Sequence, residues 1–242
     1  MKSSVTLAAL LLLILVLSCT YTKAQTTTTT FSAIQNKTAW SSCDVCSGSG
    51  GAGSTATHWQ AQFQTTPSLS GSSSEFYFGG TTPYSSALWW KQLGANPQFS
   101  HFNYEVDFRI TDATAPQALE FDVNQALNGK KYVFGTECNL RGTYKGYWRV
   151  WDASLHWQNT GVACAGITAN AWHHLKWELE RTTDGHTHFI AVTVDGVRRV
   201  VNRYYTPLNS STKELDVAFQ TDGNKYPTDY AAWLDNVTLT AW

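Results

Sequence analysis

Apolar and polar residues alternate with a period of two along most of this chain, and no stretch sustains the 3.6-residue period of an amphipathic helix. Phe102, Tyr104, Val106, Phe108 and Ile110 interleave with Asn103, Glu105, Asp107 and Arg109, as expected of a strand with one face in a core and the other in water. Leu175, Trp177 and Leu179 alternate in the same way with His174, Lys176, Glu178 and Glu180. Two further apolar segments, 189–194 and 197–201, flank Asp195-Gly196, a dipeptide suited to the positive φ angles of a type I′ hairpin turn. Leu215, Val217 and Phe219 form another alternating set, while Trp233, Asp235, Val237 and Leu239 predict a closing strand tied into a sheet. Many short strands without internal repeats predict an all-β fold of two packed antiparallel sheets, a β-jelly-roll sandwich.

One strand carries chemistry. In Glu120-Phe121-Asp122-Val123-Asn124-Gln125, a period of two sends Glu120, Asp122 and Asn124 to one face and Leu119, Phe121 and Val123 to the other. Same-face neighbours lie roughly 6.6 Å apart, so the two carboxylates are close enough to raise one another's pKa or to share a cation. Together with Gln125, which ends the run, they are the first candidate ligand-binding residues.

Composition narrows the setting. Lys2 precedes an apolar stretch from Val5 to Leu17, the pattern of a secretion signal and shorter than the ~20 residues of a membrane span. Thr22-Lys23-Ala24 before Gln25 fits a signal-peptidase site, so residues 1–24 are expected to be removed and the protein to be secreted or periplasmic. The alternative is a lipobox, Leu15-Val16-Leu17-Ser18-Cys19, with a lipid anchor at Cys19. Loss of Lys2 and Lys23 takes the formal charge from -1 to -3, and no basic stripe exists, which argues against a nucleic-acid partner.

Of the five cysteines, Cys43, Cys46, Cys138 and Cys164 follow the signal. An even number in an exported chain implies disulfides. Three pairings are open; the preferred one joins Cys43 to Cys46, pinning a Gly-rich loop, and Cys138 to Cys164, clasping two strand segments. Gln25–Thr30 is Thr-rich and residues 47–55 are dense in Gly and Ser, so 25–54 reads as an N-terminal segment outside regular structure. Residues 55–242 then form a single jelly-roll domain.

Glu-Phe-Asp in mid-sequence, a Trp-rich middle and the closing Trp233-Leu-Asp-Asn-Val-Thr-Leu239 strand resemble the concanavalin A-like lectin and glucanase superfamily over residues 55–242. Family 16 and family 7 glycoside hydrolases of that superfamily carry Glu-x-Asp-x-(x)-Glu on a strand of the concave sheet. The resemblance implies Glu120 as nucleophile and Asp122 as helper, but the acid/base position falls on Asn124 or Gln125. An amide has no titratable proton to give a leaving group. A replacement acid would have to come from another strand, with Glu137, Asp152, Glu178 and Glu180 as candidates. Legume-type lectins of the superfamily use Val-Glu-Phe-Asp for a transition metal and calcium. That template implies Glu120 and Asp122 as metal ligands, with Asn124 and Asn128, or Asp152 and His156, as further oxygen or nitrogen donors. The leading expectation is that no cofactor is needed, and calcium is the alternative.

Eleven tryptophans supply stacking surfaces for sugar rings, whose C–H faces match the negative face of an indole. Adjacent Trp89 and Trp90 must face opposite ways, so only one can be a platform, and Trp89 is the candidate. Tyr147, Arg149 and Trp151 share a face opposite Trp148 and Val150, making Arg149 and Trp151 candidate groove residues. His173-His174 splits across two faces and reads as structural. Asn36, Asn209 and Asn236 lie in glycan-acceptor patterns, which matter only in a glycosylating host. The expected function is binding of a polysaccharide or glycan on the concave face by a secreted lectin-like protein. The alternatives are a glycoside hydrolase or polysaccharide lyase with a non-standard acid/base, and a structural or adhesive surface protein.

Overall fold

The computed structural model describes residues 27–44, 56–80, 82–95, 98–164, 166–226 and 228–242. The signal peptide, its lipobox alternative and Cys46 lie outside those residues. The described chain is all β apart from one 3₁₀ turn, Ile34–Asn36. Its strands are β1 (Thr29–Phe31), β2 (Ser41–Cys43), β3 (Ala56–Gln64), β4 (Ser73–Gly80), β5 (Ser86–Gly94) and β6 (His101–Ile110). Then follow β7 (Pro116–Leu127), β8 (Lys130–Phe134), β9 (Thr136–Asn139), β10 (Tyr147–Trp151), β11 (Trp157–Ala163) and β12 (Trp172–Arg181). The last are β13 (Thr187–Val194), β14 (Val197–Tyr205), β15 (Leu208–Asn209), β16 (Glu214–Gly223) and β17 (Tyr230–Ala241).

Two antiparallel sheets stack as a jelly roll. One has the order β14-β13-β12-β6-β17-β4-β3 with β1 on β17; the other runs β11-β10-β9-β7-β16-β5-β2, with β8 on β7 and β15 on β8. The apolar sets read from the sequence face one another across the gap: Phe102 to Ile110, Leu175 to Leu179, Leu119 to Val123 and Leu215 to Phe219 are all buried. Aromatic rings interlock there, with Trp148 edge-on to Trp177 at 5.4 Å and Phe121 packed on Phe108 and Phe219. Each such side chain contributes about 1.5–3 kcal/mol by leaving water. Asp195 and Gly196 take φ values of 48° and 80°, as a type I′ turn requires. Cys138 and Cys164 form a disulfide with their Cα atoms 5.8 Å apart, securing β9 beside the end of β11.

The expected boundary at residue 55 is wrong in one respect. Thr29–Phe31 pairs with Leu239–Ala241, Ser41–Cys43 pairs with Leu88–Trp90, and Ile34 is buried in the main core. Much of the Thr- and Ser-rich segment therefore belongs to the domain. Ladder hydrogen bonds come from backbone groups, so a low-complexity composition does not prevent a short strand from adding to a sheet. Asp235 anchors this segment: its carboxylate accepts bonds from Ser68 Oγ, Leu69 N, Ser70 N, Ser70 Oγ, Gln35 Nε2 and Asn236 N.

Candidate functional site

Pairing register turns the outer face of the nine-stranded sheet into three rows of side chains. Gln92, Asp216, Asn124 and Val133 make the first row. Trp90, Ala218 and Asp122 begin the second, which continues through Gly135 to Trp151 and Trp157. Leu88, Gln220, Glu120, Glu137, Arg149 and Asn159 make the third. The rows floor a cleft of about 590 Å³, walled by Leu88 and Trp90 on one side and by Trp151, Leu155 and Trp157 on the other. Ala218 leaves one side of the middle open, and on the other Trp151 leans over Gly135. A Cβ added at Gly135 would come within 2.8 Å of the Trp151 Cβ, so glycine is what lets that indole stand against the floor.

Carboxyls crowd this floor, and few donors meet them. Gln220 Nε2 donates to both Glu120 Oε1 (2.6 Å) and Asp222 Oδ1 (3.0 Å). Asp122 Oδ1 accepts from the Thr136 N–H at 2.9 Å, and Asp216 accepts from Asn124 and Gln92. Arg149 forms an ion pair with Glu137, and Lys131 pairs with Glu214 at 2.8 Å. Burial, reinforced by Asp222, Asp122 and Glu137, pushes Glu120 well above the carboxylate range. Burial also raises Glu137 to about 8 against the opposing pull of Arg149, and Asp122 to about 7 against its Thr136 bond. Asp216 and Asp222 are raised by burial to about 6, the latter held down by its bond to Glu120. The bond between the two carboxyls raises Glu120 and lowers Asp222.

The structure gathers Glu120, Asp122, Asn124 and Trp151 in the cleft, with Arg149 beside Trp157 at 5.9 Å. It removes two candidates. Trp89 is 1% exposed and packs on Phe76 and Phe219 in the core; its neighbour Trp90 is the cleft residue. Gln125 lies on the core side with Phe121 and Val123, donating to the Phe99 carbonyl and accepting from Arg181 Nε, each at 2.9 Å. Parity along the strand is the reason for both.

Of the candidate replacement acids, only Glu137 reaches Glu120. Asp152 holds its own turn through Ser154 N, His156 N and Gln158. Glu178 pairs with Arg198, and Glu180 with His188 and His101. His173 and His174 pair separately with Asp195 and Asp107.

The metal reading changes partners. Among the described residues, the carboxylates with oxygens within 4.8 Å of one another belong to Glu120, Glu137 and Asp222, not to Asp122. Those three could together offer oxygen to a hard cation, after Arg149 was displaced from Glu137.

Asp216, Gln220 and Asp222 are absent from the sequence-derived candidates although they alternate with Leu215, Val217 and Phe219. The same period-two rule applied to Glu120 places Asp216 and Gln220 on an outer face. It does not show which strand they adjoin.

The sheet order is that of an antiparallel two-sheet jelly roll. No family model matches the chain, and no curated protein matches it in sequence. Solved structures similar to it include a carbohydrate esterase from the Shiga toxin-encoding bacteriophage phi24B, with 14% identity, 84% of this chain and 89% of that chain covered, and a TM-score of 0.47. The cellulose-induced protein Cip1 aligns at 15% identity over 83% of this chain and 90% of its own, also with a TM-score of 0.47. The catalytic domain of a glycoside hydrolase family 131 protein from Coprinopsis cinerea aligns at 13% identity over 75% and 76%, with a TM-score of 0.40.

Proposed function

We propose that this protein binds a polysaccharide or oligosaccharide chain in the cleft of the nine-stranded sheet. The observation that carries the reading is the pairing of indole walls, Trp90 on one side and Trp151 and Trp157 on the other, with a hydrogen-bonding floor of Asp122, Asn124, Asp216 and Gln220. The walls suit the C–H faces of sugar rings and the floor suits their hydroxyls. Retardation in native gels containing soluble neutral, amino or acidic polysaccharides tests it. At least one polymer is expected to slow the wild-type protein, and Trp151→Ala should abolish most of that shift. Equal mobility of the wild type in every gel overturns the reading.

A second reading, cleavage of the bound chain, draws on the Glu120–Glu137–Asp222 group. Carboxyls whose surroundings push their pKa values apart are the raw material of an acid/base pair, and one oxygen from each of the three lies within 4.8 Å of the others, against the ~5–5.5 Å between the carboxyls of retaining hydrolases. Glu137 is 1% exposed and tied to Arg149, which favours binding over cleavage. New reducing ends or unsaturated sugars on prolonged incubation, lost in Glu120→Gln, would reverse that preference.

A further inference from the structure

The charge of the cleft points to the chemical class of its ligand. Two cations stand on this face, and each is already engaged: Arg149 on Glu137 and Lys131 on Glu214. Among the described residues, Asp122 and Asp216 have no ion-pair partner, and only the Thr136 N–H and the amides of Asn124 and Gln92 meet them; Glu120 and Asp222 bond to one another and to Gln220. Their geometry is that of a trough. Asp122 lies on the strand midway between those that carry Trp90 and Trp151, with Ala218 on one shoulder and Gly135 on the other. On the Ala218 side only a methyl group flanks its carboxylate, while on the Gly135 side the Trp151 and Trp157 side chains close over the floor. Two strand spacings, about 10 Å, separate Asp122 from each indole-bearing strand, room for a sugar ring lying against a wall with a substituent reaching the floor.

A ligand entering this trough strips water from the half-buried Asp122 and closes off solvent from Asp216 beside it. A neutral sugar leaves their charge uncompensated, and a uronate or sulfate adds like charge at short range. An ammonium group supplies the missing counter-ion and donates three hydrogen bonds to acceptors that now have few. We infer that the cleft selects glycans carrying primary ammonium groups, with the amine seated over Asp122 between Asp216 and Glu120 and the ring faces against Trp90 and Trp151. This rests on the glycan-binding reading and narrows it to cationic amino sugars.

Calorimetric titration with three β-1,4-linked oligomers of equal length separates the two claims: deacetylated glucosamine, N-acetylglucosamine and glucose, with an oligouronate as the acidic member. The amine oligomer is expected to bind at least tenfold more tightly than either neutral one, with affinity falling as salt is added, and the uronate not to bind. Asp122→Asn retains an acceptor for the Thr136 N–H and should bring the amine-to-neutral ratio towards one, with Asp216→Asn acting in the same direction. Neutral oligomers that equal or exceed the amine overturn the inference and leave glycan binding standing, as does a ratio unmoved by either variant. Failure of every oligomer to bind overturns the inference, and overturns glycan binding as well if the wild-type protein is unretarded in every polysaccharide gel.

Discussion

Asp235 and Glu120 are carboxylates withdrawn from water to nearly the same degree, 0% and 5% exposed, yet their surroundings treat the charge in opposite ways. Six donors converge on Asp235 from the loop at Ser68–Ser70, from Gln35 and from its own neighbour. Burial alone would raise its pKa, but the bonds from Ser70, Ser68 and Leu69 outweigh it and hold the group below the ordinary value. Glu120 receives one amide and faces three more carboxyls, so burial and like charge both drive its pKa up. A buried charge with its donors complete is a structural knot. A buried charge left short of partners beside an open cleft is a site prepared for something else. The contrast separates the face that holds the fold together from the face that is free to act.

The contrast breaks most decisively at its structural end. Asp235→Ala orphans several buried donors at once and should lower unfolding stability by about 3–5 kcal/mol, read from the urea midpoint; a shift under ~1 kcal/mol would mean that Asp235 ties nothing down. A similar loss is expected for Trp89→Ala, about 3–5 kcal/mol for a core indole, whereas Trp90→Ala should leave stability within about 1 kcal/mol and reduce glycan affinity instead. If the two tryptophans exchanged these roles in melts and titrations, the assignment of the cleft face would fall.

Trp151→Ala comes next, with roughly a tenfold to hundredfold loss of glycan affinity and a nearly unchanged melting temperature. Comparable losses of binding and of stability would mean that this wall is core rather than platform.

The pH dependence differs in sign between the two carboxylate environments. Asp122 at about 7, Glu137 at about 8, and Asp216 and Asp222 at about 6 lie above unfolded values of roughly 3.9 to 4.3. Between those limits the native state binds more protons than the unfolded chain, so stability falls as pH rises from about 4 to about 8. Asp235 has the opposite sign: its contribution is present above the unfolded value and is lost as pH falls through its lowered folded pKa. Melting temperatures should therefore peak in mildly acid buffer, and Glu120→Gln should flatten the decline above it. A melting temperature that climbs steadily from pH 5 to pH 8 contradicts the crowded-carboxyl picture.

Much of the fold is legible in the chain. The alternations at 102–110, 175–179 and 215–219 are the inner faces of β6, β12 and β16, and Asp195-Gly196 is the hairpin turn they predict. Cys138 and Cys164 pair as expected. The N-terminal segment is the exception, because its short strands rest on backbone hydrogen bonds with little side-chain signal. Part of the site is legible too: Glu120, Asp122 and Asn124 share an outer face, as parity requires. Parity also excludes Gln125 from that face, because an odd offset from Glu120 turns its side chain toward the core.

Sequence by itself determined the class of the fold and which side chains share a face, because both follow from a two-residue period that is local in the chain. It could not determine which of two adjacent tryptophans faced the cleft, since either phase of an alternating strand leaves one indole inside. Only tertiary structure decided which strands are neighbours. Gln220 reaches Glu120 from 100 residues away on the strand that also carries Asp222, and Glu137 and Arg149 arrive on two further strands. Sheet order is set by the combined packing of two apolar faces, a property of the whole chain, and it is this order that puts unpaired carboxyls and indoles into one trough.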